Sequence, residues 1–173
     1  QLATRISDCS FADQLRLDQA LVHDNPELVW QRMDVLEELA SESGTDKFRI
    51  GDVYDAIGTK SAKAKAMDAY QTAALLGNEE ATRRVLAAYM TPGSSLFSLE
   101  SVRSKLPSIL ASADKKKIYA TAEAMRRMIT DDKMRAAYSD VLEPLYLKAA
   151  ELEHAGAIRE YALSLQQGTF TRR

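Results

Sequence analysis

The two histidines are the first residues to consider for acid–base or metal chemistry. His23 lies beside Asp24-Asn25 near a predicted helix end, and His154 lies in a predicted turn between helices. Neither has a cysteine or a second histidine at a ligand spacing such as i and i+4. We therefore interpret His23 as a capping or solvent-exposed residue, and we predict no catalytic residue and no metal site.

A glycine–lysine segment superficially resembles a phosphate-binding loop. It reads Gly58-Thr59-Lys60-Ser61, with Gly51 upstream. A phosphate-binding loop has four residues between its glycines and follows a strand, whereas the present segment has six and lies within a predicted helix. The lysine would not be aimed at a phosphate, so we predict no bound cofactor.

The single cysteine, Cys9, excludes an intrachain disulfide and a multi-cysteine zinc site. No adjacent base would form its thiolate, which favours a small half-buried residue over a reactive one. A lipid anchor at Cys9 would need a lipobox of small residues, and Ile6-Ser7-Asp8 is a poor one. This cysteine usage fits the cytosol and also the periplasm.

Three short basic runs, Arg83-Arg84, Lys115-Lys116-Lys117 and Arg126-Arg127, lie in predicted amphipathic helices. Their spacing relative to the apolar residues favours solvated faces, and a local site for an acidic partner is the alternative. The formal net charge of -2 disfavours nucleic acid and anionic membranes as partners. The apolar stretches are shorter than the ~20 residues that cross a bilayer, so no membrane-spanning segment is predicted.

Chain breakers and amphipathic spacing predict about nine helices and no strand. Glycine (7) and proline (4) are scarce among the 173 residues, and alanine and leucine are abundant. Pro107 predicts two short helices or one kinked helix, and Pro144 predicts a break near Asp140 to Glu143. The predicted spans are 10–22, 26 to a stop at 43–44, 46–57, 62–76, 79–90, 95–113, 114–129, 133–153 and 155–167.

Internal similarity is the most informative feature of the sequence. Ala73-Ala74 corresponds to Ala149-Ala150 at an offset of 76 residues, and Tyr70 corresponds to Tyr146 at the same offset. A second alignment matches residues 50–54 with 85–89 at an offset of 35. Such periods fit a helix–turn–helix repeat, in which small residues let helices approach, tyrosines fill the wedge between hairpins and glycines end helices. The residues assigned to repeat packing are Gly51, Tyr54, Tyr70, Ala73, Ala74, Gly77, Ala81, Tyr89, Tyr146, Ala149, Ala150 and Ala157.

These residues carry a resemblance to a known repeat family. The segment from about 46 to 89 resembles the Sel-one-like repeat, a tetratricopeptide-type helix pair, and a half-unit follows at about 140–167. The loop at Gly58-Thr59 is shorter than the pattern, and Thr91-Pro92-Gly93 departs from it. The resemblance implies an all-α, right-handed solenoid of antiparallel helix pairs. The matching residues are Ile50-Gly51, Tyr54, Gly58, Lys65-Ala66, Tyr70, Ala73-Ala74, Gly77-Asn78 and Ala81.

The expected organisation is a single solenoid segment over 1–173. It would comprise a helical pair at 1–45, the best-formed repeat at 46–89, an irregular repeat at 90–139 and a partial repeat at 140–173. Because Gln1 is not an initiator methionine, we expect the chain to be part of a longer or processed protein.

The resemblance implies a non-enzymatic scaffold for another, unidentified protein. Degenerate arrays of this kind are similar to the periplasmic scaffold lipoprotein type of alginate export and equally similar to other bacterial adaptor proteins. The first resemblance implies a bacterial envelope assembly such as exopolysaccharide export and favours the periplasm. Self-association through an uncapped array end beyond Ala155 to Gln167 is a further expectation. The alternatives are a helical ligand-binding or enzyme domain, marked by converging acidic residues in a deep pocket, and a purely structural helical domain.

Overall fold

The computed structural model describes residues 10–170 and confirms the all-α class, with nine helices and no strand within that range. None of these helices is long and apolar enough to cross a membrane. The helices are α1 (Phe11–Leu21), α2 (Pro26–Leu39), α3 (Gly44–Ile57), α4 (Lys60–Leu75), α5 (Glu79–Tyr89), α6 (Leu99–Ala111), α7 (Lys115–Met128), α8 (Asp132–Glu151) and α9 (Ala155–Gln166).

Polar caps place two helix starts about half a turn before the predicted positions. The Ser43 hydroxyl accepts the backbone N–H of Asp46 at 3.1 Å, and α3 therefore begins at Gly44. Thr59 caps α4 in the same way and moves its start to Lys60. An N-cap side chain accepts the backbone N–H of the residue three positions later, so the helix begins before that residue. The prediction used the spacing of apolar residues, which does not locate such caps.

The predicted break at Pro144 is wrong, because α8 is one continuous helix from Asp132 to Glu151. Proline inside a helix costs about 3 kcal/mol through the lost hydrogen bond and the ring contact with the preceding turn. Val141, Leu142 and Leu145 flank the proline and are 0–4% exposed. Burying a side chain of this kind contributes ~1.5–3 kcal/mol, so the packing on both sides offsets the proline.

The other interior proline, Pro107, also lies within one helix. α6 begins at Leu99, where the Ser98 hydroxyl accepts the N–H of Ser101 at 3.0 Å, and it continues past Pro107 to Ala111. The segment is therefore one helix rather than two. It begins four residues after the predicted start at Ser95.

The chain divides into two compact units, with the boundary between Val85 and Leu86. In the first unit α3 and α4 form the most closely packed pair, and α1 packs against α2 and α3. In the second unit α8 is central and contacts α6, α7 and α9. The single continuous solenoid, and the repeat boundaries at 46, 90 and 140, stay predictions from the sequence.

Each unit has its own apolar core. The first is built mainly from α1 to α4, and Val29, Met33 and Leu36 of α2 are 0–1% exposed within it. The second is built from α6 to α9 together with Met90 and Phe170.

Helices α3 and α4 of the first unit, and α5, which begins in it, match three helices of the second unit in length or in position. α3 and α7 both have 14 residues and lie 71 positions apart, and their N-caps Ser43 and Asp114 keep that spacing. The end of α4 matches the end of α8, and the start of α5 matches the start of α9, both at an offset of 76. Five extra residues between α7 and the body of α8 account for the difference. A comparison of the sequence with itself at one constant offset therefore cannot detect that α3 corresponds to α7.

Candidate functional site

A buried tyrosine hydroxyl joins α3 and α4 in the first unit. Tyr70 on α4 is 4% exposed, and its hydroxyl donates to Asp52 Oδ1 on α3 at 2.9 Å. Arg84 on α5 donates from Nη1 to the Tyr70 hydroxyl at 2.5 Å and forms an ion pair with Asp52 Oδ1 at 2.9 Å. The guanidinium also lies over the rings of Phe48 and Tyr70, 5.0 and 4.9 Å from their centroids. Arg84 thus attaches the first turns of α5 to the α3–α4 pair.

Gly51 makes room for the Tyr70 ring against the backbone of α3. A Cβ atom added at Gly51 would lie 2.5 Å from Tyr70 Cε1, well inside van der Waals contact. Glycine is unfavourable inside a helix by roughly 1 kcal/mol relative to alanine, so this position exchanges helix stability for a close helix–ring contact.

The second unit contains a related contact. Tyr146 on α8 is 2% exposed and donates to Glu123 Oε1 on α7 at 2.6 Å. Tyr119 on α7 meets the Tyr146 ring edge-on at 6.1 Å, and in the first unit Phe48 packs against Tyr70 at 5.5 Å in a tilted arrangement. The cation beside the carboxylate is Arg126, which donates from Nη2 to Glu123 Oε2 at 2.9 Å.

Three of the four tyrosines assigned to packing are buried and have carboxylate partners. They are Tyr54, Tyr70 and Tyr146, whereas Tyr89 is half-buried under the ammonium group of Lys105. Burial, and then the hydrogen bond to the carboxylate, raise the pKa of each of the three buried phenols well above its ordinary value. They stay protonated near neutral pH and act as hydrogen-bond donors rather than as bases.

The alanines of the predicted repeat lie at two depths. Ala73, Ala81, Ala149 and Ala157 are 0% exposed, and the neighbouring Ala74 and Ala150 are half-buried.

Helix ends at matching positions use different residues. Gly77 has a φ of 85°, and Glu153, 76 positions later, has a φ of 61° and is the only non-glycine residue of 10–170 with a positive φ. Asn78 and His154 then cap α5 and α9 by accepting the N–H of Ala81 at 2.9 Å and of Ala157 at 3.3 Å.

The two histidines have different surroundings. His23 is exposed in a turn. His154 Nδ1 caps α9, and its ring stacks on Tyr119 at 4.2 Å. Within residues 10–170 no group of three or more His, Cys, Asp or Glu side chains is placed to hold a metal ion. The prediction for Cys9 lies outside the described residues.

The basic runs differ in what they contact. Arg84, predicted to lie on a solvated face, contacts Phe48, Tyr70 and Asp52. Sequence spacing could not indicate these contacts, because the three residues lie on two other helices. Lys117 forms an exposed ion pair with Asp114 at 3.5 Å.

A groove over α3, here called the α3 groove, lies on the first unit. It has a volume of about 240 Å³ and lies between the end of α2 and the outer face of α4. Tyr54 lines it, with its hydroxyl donating to Glu37 Oε1 at 2.5 Å and its ring meeting Trp30 edge-on at 5.8 Å. Lys47 and Glu42 form an ion pair at 3.1 Å on its wall. The lining residues are Glu37, Glu42, Lys47, Ile50, Tyr54, Lys65, Asp68, Ala69 and Thr72.

The second unit has a smaller cavity of about 80 Å³ beside Tyr146. Ile129, Leu142 and Phe170 form its apolar part, and Glu160 contributes a carboxylate. The remaining lining residues are Arg126, Arg135, Ser139, Tyr146, Ser164 and Thr169.

No protein-family model, curated protein or solved structure that was compared with the chain matches it.

Proposed function

We propose that the chain is a non-enzymatic scaffold that binds a partner protein in the α3 groove. The observation that carries the proposal is the composition of this groove. It combines the Tyr54 ring, apolar Ile50 and Ala69, and side chains of both charge signs such as Lys65 and Asp68. Protein interfaces join aromatic and apolar contacts to complementary charges in this way.

The aromatic residue that lines the groove, Tyr54, is held in place in the unbound protein. Tyr54 is 3% exposed and is fixed by its hydrogen bond to Glu37, and its ring packs edge-on against Trp30, which lies outside the groove lining. Preorganised side chains lose little conformational entropy on binding. Tyrosine is also among the residues most enriched in binding hot spots.

The bonding of the titratable groups supports a scaffold rather than an enzyme. The buried phenols donate to carboxylates, and His154 accepts a backbone N–H with Nδ1. Groups committed in this way stabilise helix pairs and helix ends instead of transferring protons.

The part of the proposal that concerns the pathway rests on the sequence resemblance alone. The Sel-one-like pattern at 46–89 implies a right-handed solenoid, and through it a place in a bacterial envelope assembly such as exopolysaccharide export. Self-association through α9 is supported by two exposed apolar side chains, Ile158 and Leu163, at 50% and 41% exposure.

Site-specific crosslinking tests the proposed binding site. A photoreactive amino acid is placed at Thr72, which lines the α3 groove, and at Lys63, an exposed residue of the same helix that does not line it. After irradiation in cells that express the full-length protein, we expect a discrete crosslinked partner from position 72 and none from position 63. Equal crosslinking at both positions, or none at position 72, would contradict the proposal.

A further inference from the structure

A carboxylate is buried in α1 without a full set of partners. Asp18 is 0% exposed, and its Oδ2 accepts a hydrogen bond from Nε2 of Gln14, itself 3% exposed, at 2.7 Å. Asp18 Oδ1 has no hydrogen-bond partner among the described residues. The nearest cation is Arg32 on α2, whose Nε lies 3.6 Å from Oδ1.

This arrangement stabilises a charged Asp18 only in part. An ion pair at 3.6 Å without a hydrogen bond leaves the buried oxygen short of the contacts it would have in water. Burial raises the pKa of the Asp18 carboxyl, and the Gln14 hydrogen bond and the Arg32 charge counteract only part of that effect. The folded protein therefore favours the protonated carboxyl more than the unfolded chain does.

The groups around Asp18 leave Arg32 as its main electrostatic partner. α1 packs against α2 and α3. α2 contributes the Arg32 guanidinium, whose side chain is 27% exposed. The titratable group on the buried side of α3 is the Tyr54 hydroxyl, which donates to Glu37. The buried residues of α3 are Ile50, Gly51, Val53, Tyr54 and Ile57.

We propose that α1 is a pH-responsive helix, whose attachment to α2 and α3 tightens when Asp18 takes up a proton from solvent. The inference is independent of the α3 groove. Below the ordinary carboxyl pKa of 3.8 the protonated group is present in both states and its stabilising contribution is complete. As pH rises through the higher pKa of the folded state that contribution is lost. Attachment of α1, which buries Leu15 in the first core, is then weakest near neutral pH.

Hydrogen exchange of the full chain tests this inference. Protection of the peptide spanning 11–21 is measured between pH 4.5 and 7.5, corrected for intrinsic exchange, in the natural protein and in Asp18→Asn. A peptide from α8 serves as the internal reference for global pH effects. Because a buried group without its hydrogen bond is costly, we expect protection of 11–21 in the natural protein to fall roughly fivefold or more relative to Asp18→Asn as pH rises.

Identical pH profiles for the natural protein and Asp18→Asn would overturn the inference. Arg32→Gln keeps the test decisive if Asp18→Asn fails to fold. Removing the cation raises the pKa of Asp18 further, so the protection of 11–21 should be lost at a higher pH than in the natural protein. An unchanged profile in Arg32→Gln would also overturn it.

Discussion

The two units build the same tyrosine–carboxylate contact and complete it with cations from different helices. In the first unit Arg84 on α5 reaches the hydroxyl of Tyr70 and the carboxylate of Asp52. In the second unit Arg126 lies on α7, three residues after the Glu123 that it contacts. The hydroxyl–carboxylate contact is therefore a property of the helix pair, and the cation can come from any helix that reaches it.

This difference changes how the third helix is attached. In the first unit, Arg84 ties α5 to the pair through charge and ring contacts. In the second unit the matching position is Glu160, and α9 is held by aromatic contacts. Its cap residue His154 stacks on Tyr119 of α7, and Phe170, which follows α9, packs against Tyr146 of α8 at 5.9 Å. An electrostatic attachment in one unit corresponds to an aromatic one in the other.

The largest expected effect concerns the close contact beneath Tyr70. Gly51→Ala places a methyl group against a buried ring that Asp52 holds in position, and overpacking of this kind costs ~1–3 kcal/mol. We expect a loss of about 2 kcal/mol in the free energy of unfolding although alanine is the better helix former. Urea unfolding followed by the fluorescence of Trp30, the only tryptophan, reports on the first unit.

The matched change in the second unit is Ala122→Gly, at the position 71 residues after Gly51. Ala122 is 0% exposed. Ala122→Gly should cost about 1 kcal/mol through helix propensity and up to about 0.8 kcal/mol more through loss of the buried methyl group, measured by urea unfolding followed by circular dichroism. A neutral or stabilising Gly51→Ala would show that the ring contact does not constrain α3.

The next largest effect on stability compares the two arginines that lie beside the tyrosine–carboxylate contacts. Arg84→Ala removes two ring contacts and an ion pair, and we expect a loss of ~1–2 kcal/mol. Arg126 has a side chain that is 55% exposed, so Arg126→Ala should cost less than about 1 kcal/mol. Urea unfolding of both variants in low and high salt checks this order. Equal losses would contradict the distinction between the two attachments.

The smallest effect concerns the helix ends at Gly77 and Glu153. Gly77→Ala forces a side chain into a φ of 85° and should cost about 1 kcal/mol. Glu153→Gly relieves the φ of 61° and should stabilise the protein by roughly 0.5–1 kcal/mol, because the gain is partly offset by the entropy of glycine in the unfolded chain. Thermal unfolding measures both, and a destabilising Glu153→Gly would contradict the equivalence of the two positions.

Much of the fold could be predicted from the sequence because helix signals are local. Breakers at Gly58 and Gly77 mark helix ends close to those of the structure. The continuity of α8 through Pro144 could not be predicted, because it depends on burial of residues on both sides. Proline signals a break only where packing does not offset its cost.

The candidate site was less predictable than the fold. The residue types at Tyr70 and Tyr146 indicated packing, but their partners Asp52 and Glu123 come from other helices at different spacings. The five-residue difference between the offsets 71 and 76 hid the correspondence of α3 and α7. The α3 groove combines residues of three helices and has no continuous motif.

The affinity of the protein for its groove-bound partner tests the central claim most directly. Lys65→Glu reverses a charge that lines the α3 groove, and Lys63→Glu makes the same change on α4 outside it. In titrations with the partner identified by crosslinking at position 72, Lys65→Glu should raise the Kd about tenfold, and Lys63→Glu should change it less than about twofold. Equal effects of the two substitutions, or none, would contradict binding in the α3 groove.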